Sequence, residues 1–222
     1  MTLSETFQTV LHRPHPAGYP FIGGGAALLL VGLFVSPWLA WPAAAFTAFC
    51  LYFFRDPERT SPARPGAVLA AADGHVVSVS LSVPPVELGL GTTPRWRVAT
   101  FLSVLDVHVN RMPVDGTVSR IAYHHGSFLS AGHDKASDAN ERNALAIRMP
   151  DGRDIAVVQI AGLIARRILC SVREGDAVRA GARFGLIRFG SRTDVYLPEG
   201  VLPLVSEGQT MIGGETVLAE LP

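Results

Sequence analysis

From Phe21 to Phe54 the chain contains no Asp, Glu, Lys or Arg. The run reads FIGGGAALLLVGLFV, then SPWLAWP, then AAAFTAFCLYFF. A membrane-spanning helix takes about 20 apolar residues. The block is long for one span and slightly short for two. Pro37 and Pro42 sit near its middle, with Trp38 and Trp41 beside them. Proline favours a break in a helix, and tryptophan favours the membrane interface. The pattern predicts two short helices with a turn at residues 36–42, with one tilted or re-entrant segment as the alternative. Arg13 precedes the block, and Arg55, Arg59 and Arg64 follow it. Cationic flanks stay on the cytoplasmic side. A hairpin therefore leaves both flanks, and everything after Arg55, in the cytoplasm at the inner membrane. The apolar region is too long for a signal peptide, and no small-residue cleavage site follows it before FFRDPER.

Composition agrees. The 222 residues are 48% hydrophobic and 17% charged, with a formal net charge of zero. Soluble domains carry about 25% charged residues. No basic excess points to a nucleic-acid partner. Two cysteines, Cys50 and Cys170, provide neither a disulfide framework nor metal-ligand spacing, so no metal is expected.

Beyond Arg55 short apolar runs alternate with Gly, Pro and Asp turns, as in AVLAA-ADG-HVVSVSLSV, RWRVATFLSV and GARFGLIRFG. These are strand signals, and no long stretch keeps a helical period. The chain divides into an anchor, 1–54, and a mainly β domain, 55–222. Two internal echoes refine the second part. Residues 73–78, DGHVVS, resemble residues 115–119, DGTVS; residues 172–178, VREGDAV, resemble residues 205–211, VSEGQTM. Paired units of this kind resemble the barrel-sandwich fold of lipoyl and biotinyl domains.

Three places carry groups that apolar packing does not need. Asp73 ends AVLAAAD; a turn aspartate bonding its own backbone explains it locally. FLSVLDVHVNRMP contains Ser103, Asp106, His108, Asn110 and Arg111, and in a strand Asp106, His108 and Asn110 share one face. A solvated histidine is the simpler account of His108 alone. The step Gly190-Ser191 in RFGSRTDVYLP is, alone, an ordinary turn.

Taken together, these segments resemble the phosphatidylserine decarboxylases in their short bacterial form. FFRDPER at 53–59 looks like that family's entry into its soluble domain. AADG at 71–74 resembles its catalytic-aspartate segment, and FLSVLDVHVNRMP at 101–113 its L-S-x-x-D-x-H motif. NERN at 140–143 and FGSRTDVYLP at 189–198 match two further family segments, the latter the self-cleavage site. The resemblance runs in order from about residue 50 to the end.

The resemblance implies a proenzyme that cuts itself between Gly190 and Ser191. Ser191 attacks the preceding carbonyl, His108 is the base, and Asp73 orients its ring. Ser191 becomes a covalent pyruvoyl cofactor at the head of a short α chain, 191–222, paired with a β chain, 1–190. The pyruvoyl ketone forms a Schiff base with the amine of phosphatidylserine in the bilayer, and phosphatidylethanolamine is the product. Homo-oligomerisation is left open. One departure stands out. Many relatives carry a second histidine where this chain has Arg111, so His108 serves both steps or His124, His125 or His133 assists. Arg55, Arg111, Arg142 and Lys135 are the cations considered for the substrate phosphate. Two other classes fit parts of the pattern: a serine hydrolase using Ser191, His108 and Asp73 on an outside substrate, and a membrane adaptor built on a lipoyl-like barrel. No G-x-S-x-G elbow supports the hydrolase.

Overall fold

The computed structural model describes residues 12–126, 140–162, 167–188 and 191–222. The chain divides into two compact units, 1–58 and 59–222.

In the first unit α1 spans Tyr19–Val35 and α2 spans Pro37–Phe53. The break is a single residue. Ser36 is extended (φ −167°, ψ 134°), and Pro37 opens α2, where a missing N–H costs nothing. The expected turn at 36–42 is therefore corrected: Trp38, Trp41 and Pro42 all belong to α2. The helices run antiparallel along a seam of small residues. A Cβ added at Gly32 would lie 2.7 Å from the Ala40 backbone nitrogen, and one at Gly25 would lie 2.5 Å from Thr47 Oγ1. The open ends are tied by His15 N–H donating to the Phe54 carbonyl (2.7 Å) and Asp56 N–H to the Arg13 carbonyl (3.1 Å). Large apolar side chains point outward: Phe34 and Trp38 are each 90% exposed. Small residues inside and large ones outside are the arrangement of helices packed in lipid. By length and composition, the helical stretch Pro16–Val35 can cross a membrane; Pro37–Phe53 is shorter.

The second unit is mainly β. Its strands are β1 Ala67–Leu69, β2 Gly74–Ser82, β3 Arg95–Leu102, β4 Val109–Arg111, β5 Gly116–His124, β6 Arg142–Arg148 and β7 Asp154–Ala161. They continue as β8 Ile168–Cys170, β9 Ala177–Val178, β10 Arg183–Ile187, β11 Ser191–Tyr196, β12 Thr210–Met211 and β13 Val217–Glu220. A large sheet has the order β12-β2-β3-β11-β7-β6-β5-β9, a second β4-β10-β8, and β1 pairs with β13. These pairings are antiparallel.

The sequence echoes are one device used twice. Val76 N–H donates to the Gln209 carbonyl and Gly208 N–H to the Val76 carbonyl; Val118 N–H donates to Asp176 and Gly175 N–H to Val118 in the same way. Glu207 accepts from Val79 N–H as Glu174 does from Ile121 N–H. Each copy carries a bulge one residue on, between Val76 and Ser78 and between Val118 and Arg120. Gly175 and Gly208 have φ of 90° and 83°, a region open to glycine, which explains why the E-G step recurs. The barrel-sandwich expectation holds.

Residues paired directly across neighbouring strands share a face of the sheet. On the inward face of the large sheet Val98, Val195, Val157 and Leu145 form one row within the main apolar core. The next row is polar: Thr100, Thr193, Gln159 and Asn143, all buried. Beyond it lie Leu102, Ser191 and Ala161. The core thus changes character toward the end of β3, the start of β11 and the end of β7.

Candidate active site

Ser191 is the first residue of β11, a central strand, and is 0% exposed. It sits between Leu102 and Ala161, and its hydroxyl has no hydrogen-bond partner among the described residues. A buried hydroxyl without a partner costs free energy, about 1–3 kcal/mol. Such a cost is found where chemistry uses the group. Gly190 lies outside the described residues.

His108 is also 0% exposed and stands immediately before β4. Its Nδ1 lies 2.9 Å from the Asp106 carbonyl oxygen. A carbonyl can only accept, so in the neutral ring Nδ1 carries the proton and Nε2 the lone pair. The local fold that arranges this is written in L-S-x-x-D-x-H. The Asp106 carboxylate accepts from Ser103 N–H (2.8 Å) and Ser103 Oγ–H (2.7 Å), and Asp106 N–H donates to the Ser103 carbonyl. The turn from β3 into β4 is thereby closed, and the Asp106 carbonyl is turned onto the imidazole. The His108 carbonyl accepts from Ile187 N–H (3.3 Å), and Ile187 packs with Ala161, the neighbour of Ser191. His108 thus stands two residues before Asn110, whose side-chain oxygen accepts from Gln159 of the polar row.

Asp73 lies just before β2, where Gly74 backs onto Phe101 and Leu102 with a Cβ position 2.1 Å from the Phe101 carbonyl oxygen. Its carboxylate accepts from Gly213 N–H (2.8 Å) and from Arg59 (2.7 Å). The first bond has a twin: Asp115 accepts from Ala180 N–H at 2.7 Å in the repeated unit. Part of what Asp73 does is thus folding, shared with its copy. The Arg59 ion pair is peculiar to Asp73 among these two.

The other flagged positions divide. Arg111 is buried and donates to the Gly181 carbonyl (2.8 Å), and Arg142 pairs with Glu87 (2.9 Å). Arg55 stacks on Tyr52, its Cζ 4.0 Å from the ring centroid. His124 and His125 are exposed at the end of β5, and His133 and Lys135 lie outside the described residues. NERN closes the far side of the site: Asn140 Nδ2 donates to the Ala161 carbonyl (2.8 Å), and Ala161 N–H to Glu141. Tyr123 donates a short hydrogen bond to the Glu141 carboxylate. Burial, aided by that bond, pushes the Tyr123 phenol up to about 12.

Two features escaped sequence reading. One is the polar row, whose only mark is Gln159 inside the apolar run IAVVQIAG. The other is Arg192, 1% exposed, which makes a two-pronged ion pair with Asp194 (Nε–Oδ1 2.6 Å, Nη2–Oδ2 2.9 Å) on the opposite face of β11. Its signal was the R-x-D spacing, since residues i and i+2 share a strand face.

Fold and site define a barrel-sandwich β protein with an enclosed serine at the head of a central strand and an oriented histidine just before a strand of the smaller sheet. A family model for phosphatidylserine decarboxylase matches residues 46–219. The chain is 72% identical over its full length to the phosphatidylserine decarboxylase proenzyme of Granulibacter bethesdensis, covering 91% of that protein. It is 63% identical to that of Gluconobacter oxydans, with all of both chains covered, and 54% identical to that of Cereibacter sphaeroides, with 98% and 94% covered. The chain belongs to the phosphatidylserine decarboxylase family, a family of enzymes synthesised as proenzymes.

Proposed function

We propose that this chain is a proenzyme that cuts itself between Gly190 and Ser191 and then decarboxylates phosphatidylserine to phosphatidylethanolamine. The observation that carries the reading is the state of Ser191, wholly enclosed and without a hydrogen-bond partner among the described residues, beside the equally buried His108, whose Nδ1 proton is held by the Asp106 carbonyl. A serine that attacks an outside substrate must be able to meet it. An enclosed serine is suited to the bond beside it, which favours self-cleavage over a hydrolase.

In the first step His108 Nε2 takes the Ser191 Oγ proton, and Oγ attacks the Gly190 carbonyl carbon. The amide nitrogen leaves with a proton, giving an ester between Gly190 and the Ser191 side chain. Loss of the Ser191 Cα proton then breaks the Cβ–Oγ bond, and Gly190 departs as a carboxylate. Asp73, a carboxylate at the same end of the large sheet, supports the imidazolium that forms. The pyruvoyl group made from residue 191 supplies the electron sink that lets carbon dioxide leave. His108, protonated at Nε2, returns a proton to the carbon that lost it. The helical hairpin holds the β domain at the inner membrane with both flanks cytoplasmic, where the acyl chains of the substrate stay in lipid.

Every strand after the cut pairs with a strand before it: β11 with β3 and β7, β12 with β2, and β13 with β1. The α and β chains are therefore expected to copurify and to separate only on denaturation. Denaturing electrophoresis with intact-mass measurement checks this. A fully active enzyme that remains a single unmodified chain would rule the reading out.

His108→Ala removes the base and is expected to slow cutting by about 10²–10⁴-fold. Asp73→Asn keeps the shape and loses the charge, so cutting slows without stopping. Both are read as the fraction cut against time. Normal maturation of His108→Ala would end the assignment of the base.

A further inference from the structure

Three fully buried polar atoms near the cut have no hydrogen-bond partner among the described residues: Ser191 Oγ, Thr193 Oγ1 and Asn110 Nδ2. They belong together. Ser191 and Thr193 are i and i+2 on β11 and face the same way. Thr193 lies directly opposite Gln159, whose Nε2 donates to Asn110 Oδ1 at 2.8 Å. Asn143 Nδ2 in turn donates to Gln159 Oε1 (2.9 Å). This relay fixes which way both amides point. With its oxygen held by Gln159, the Asn110 amide turns its NH₂ edge away from Gln159. Gly185 makes the arrangement possible, since a Cβ there would lie 2.7 Å from Gln159 Nε2.

One orphaned polar atom is a local cost; two on one face of β11, with a third on the β4 side chain that Gln159 holds, specify an occupant. That occupant must be small, must accept from the Asn110 amide, and must exchange hydrogen bonds with two hydroxyls. Water meets all three demands, and buried water makes about three such bonds. We propose that Asn110, Thr193 and Ser191 hold one water, and that this water converts residue 191 to the ketone. The proposal rests on the self-cleavage reading. After elimination, residue 191 is an enamine, CH₂=C(NH₂)–, which tautomerises to the imine CH₃–C(=NH)–. The water adds to the imine carbon and ammonia leaves. The water oxygen becomes the ketone oxygen, and its two hydrogens depart on nitrogen. No other reactant is needed. Cutting itself consumes no water, so the two stages respond differently to loss of the site.

Thr193→Val is the sharpest probe, because it keeps the branched shape of a strand residue and removes a hydroxyl that bonds nothing else described. Thr193→Ser restores a hydroxyl. Asn110→Asp keeps the oxygen that Gln159 holds and replaces the donor. Each full-length proenzyme is followed by denaturing electrophoresis for cutting and by intact mass of the 191–222 fragment, where oxygen replacing NH is resolved. In Thr193→Val and Asn110→Asp, cutting is expected to continue while ketone formation slows at least about tenfold, with the imine form accumulating. Thr193→Ser is expected to restore the ketone. The inference is overturned if either folded variant forms the ketone as fast as wild type. It is overturned equally if a folded variant stays uncut. If the wild type itself is never cut, the reading beneath it has failed instead.

Discussion

Ser191→Ala is expected to leave the chain whole and its decarboxylase activity at background, while the protein folds about as well as wild type. The two halves of this result have one origin. In the proposed scheme the hydroxyl is the nucleophile for the neighbouring amide, and its later elimination opens the route to the ketone, so without it neither stage begins. Yet in the folded proenzyme it makes no hydrogen bond among the described residues, although fully buried. Its one inferred partner is the buried water, which Thr193 and Asn110 still hold in the variant, so stability is expected to change by no more than about 1 kcal/mol. A thermal melt beside the gel separates the two effects. A folded, uncut and inactive protein supports the scheme; one that is cut, or that works uncut, removes its basis.

Asp194→Ala is expected to produce a large loss of stability, about 3–5 kcal/mol, because it takes the two-pronged carboxylate away from a buried guanidinium. Asp194 is 1% exposed and meets Arg192 through both oxygens, with Arg97 Nη1 at 3.9 Å. Few domains can spare that much, since whole-domain stability is about 5–15 kcal/mol. Little folded protein should be recovered, and hence little cut protein. Replacing Arg192 and Asp194 together by leucines removes both charges and is expected to recover most of the loss. The comparison is made by denaturant unfolding of the single and double variants. If Asp194→Ala unfolds like wild type, the pair does not anchor β11. The pair matters to the chemistry through position alone. It fixes the strand that begins at Ser191, and in the proposed scheme it continues to do so once that residue has become a chain end.

How much could be read in advance differs between features. The apolar block announced two helices through its length and its prolines, but it placed the turn too broadly. Proline at the first helical position loses no hydrogen bond, so Pro37 starts α2 and leaves Ser36 alone to reverse the chain. The repeated D-G and E-G steps announced a duplicated β unit, because a bulge and a positive-φ glycine leave local marks. The motif around His108 was visible, but its meaning was not. Asp106 was seen as sharing a strand face with the histidine. It acts through its carbonyl, after its carboxylate has closed the turn back to Ser103.

The polar row escaped because nothing local distinguishes it. Thr100, Asn143, Gln159 and Thr193 come from four different strands, and Asn110 from a fifth. They meet only once the register of the large sheet is set.

By itself, the order of residues determined the apolar hairpin, the β character, the duplicated unit and the few positions able to bear the chemistry. These depend on composition, spacing and turn preference, which act over a handful of neighbours. Only the tertiary structure decided that Ser191 is enclosed with no partner among the described residues, that the Asp106 carbonyl holds His108, and that Asn110 reaches the polar row through Gln159. Those facts depend on strand register and on the packing of one sheet over another, and both join residues far apart along the chain.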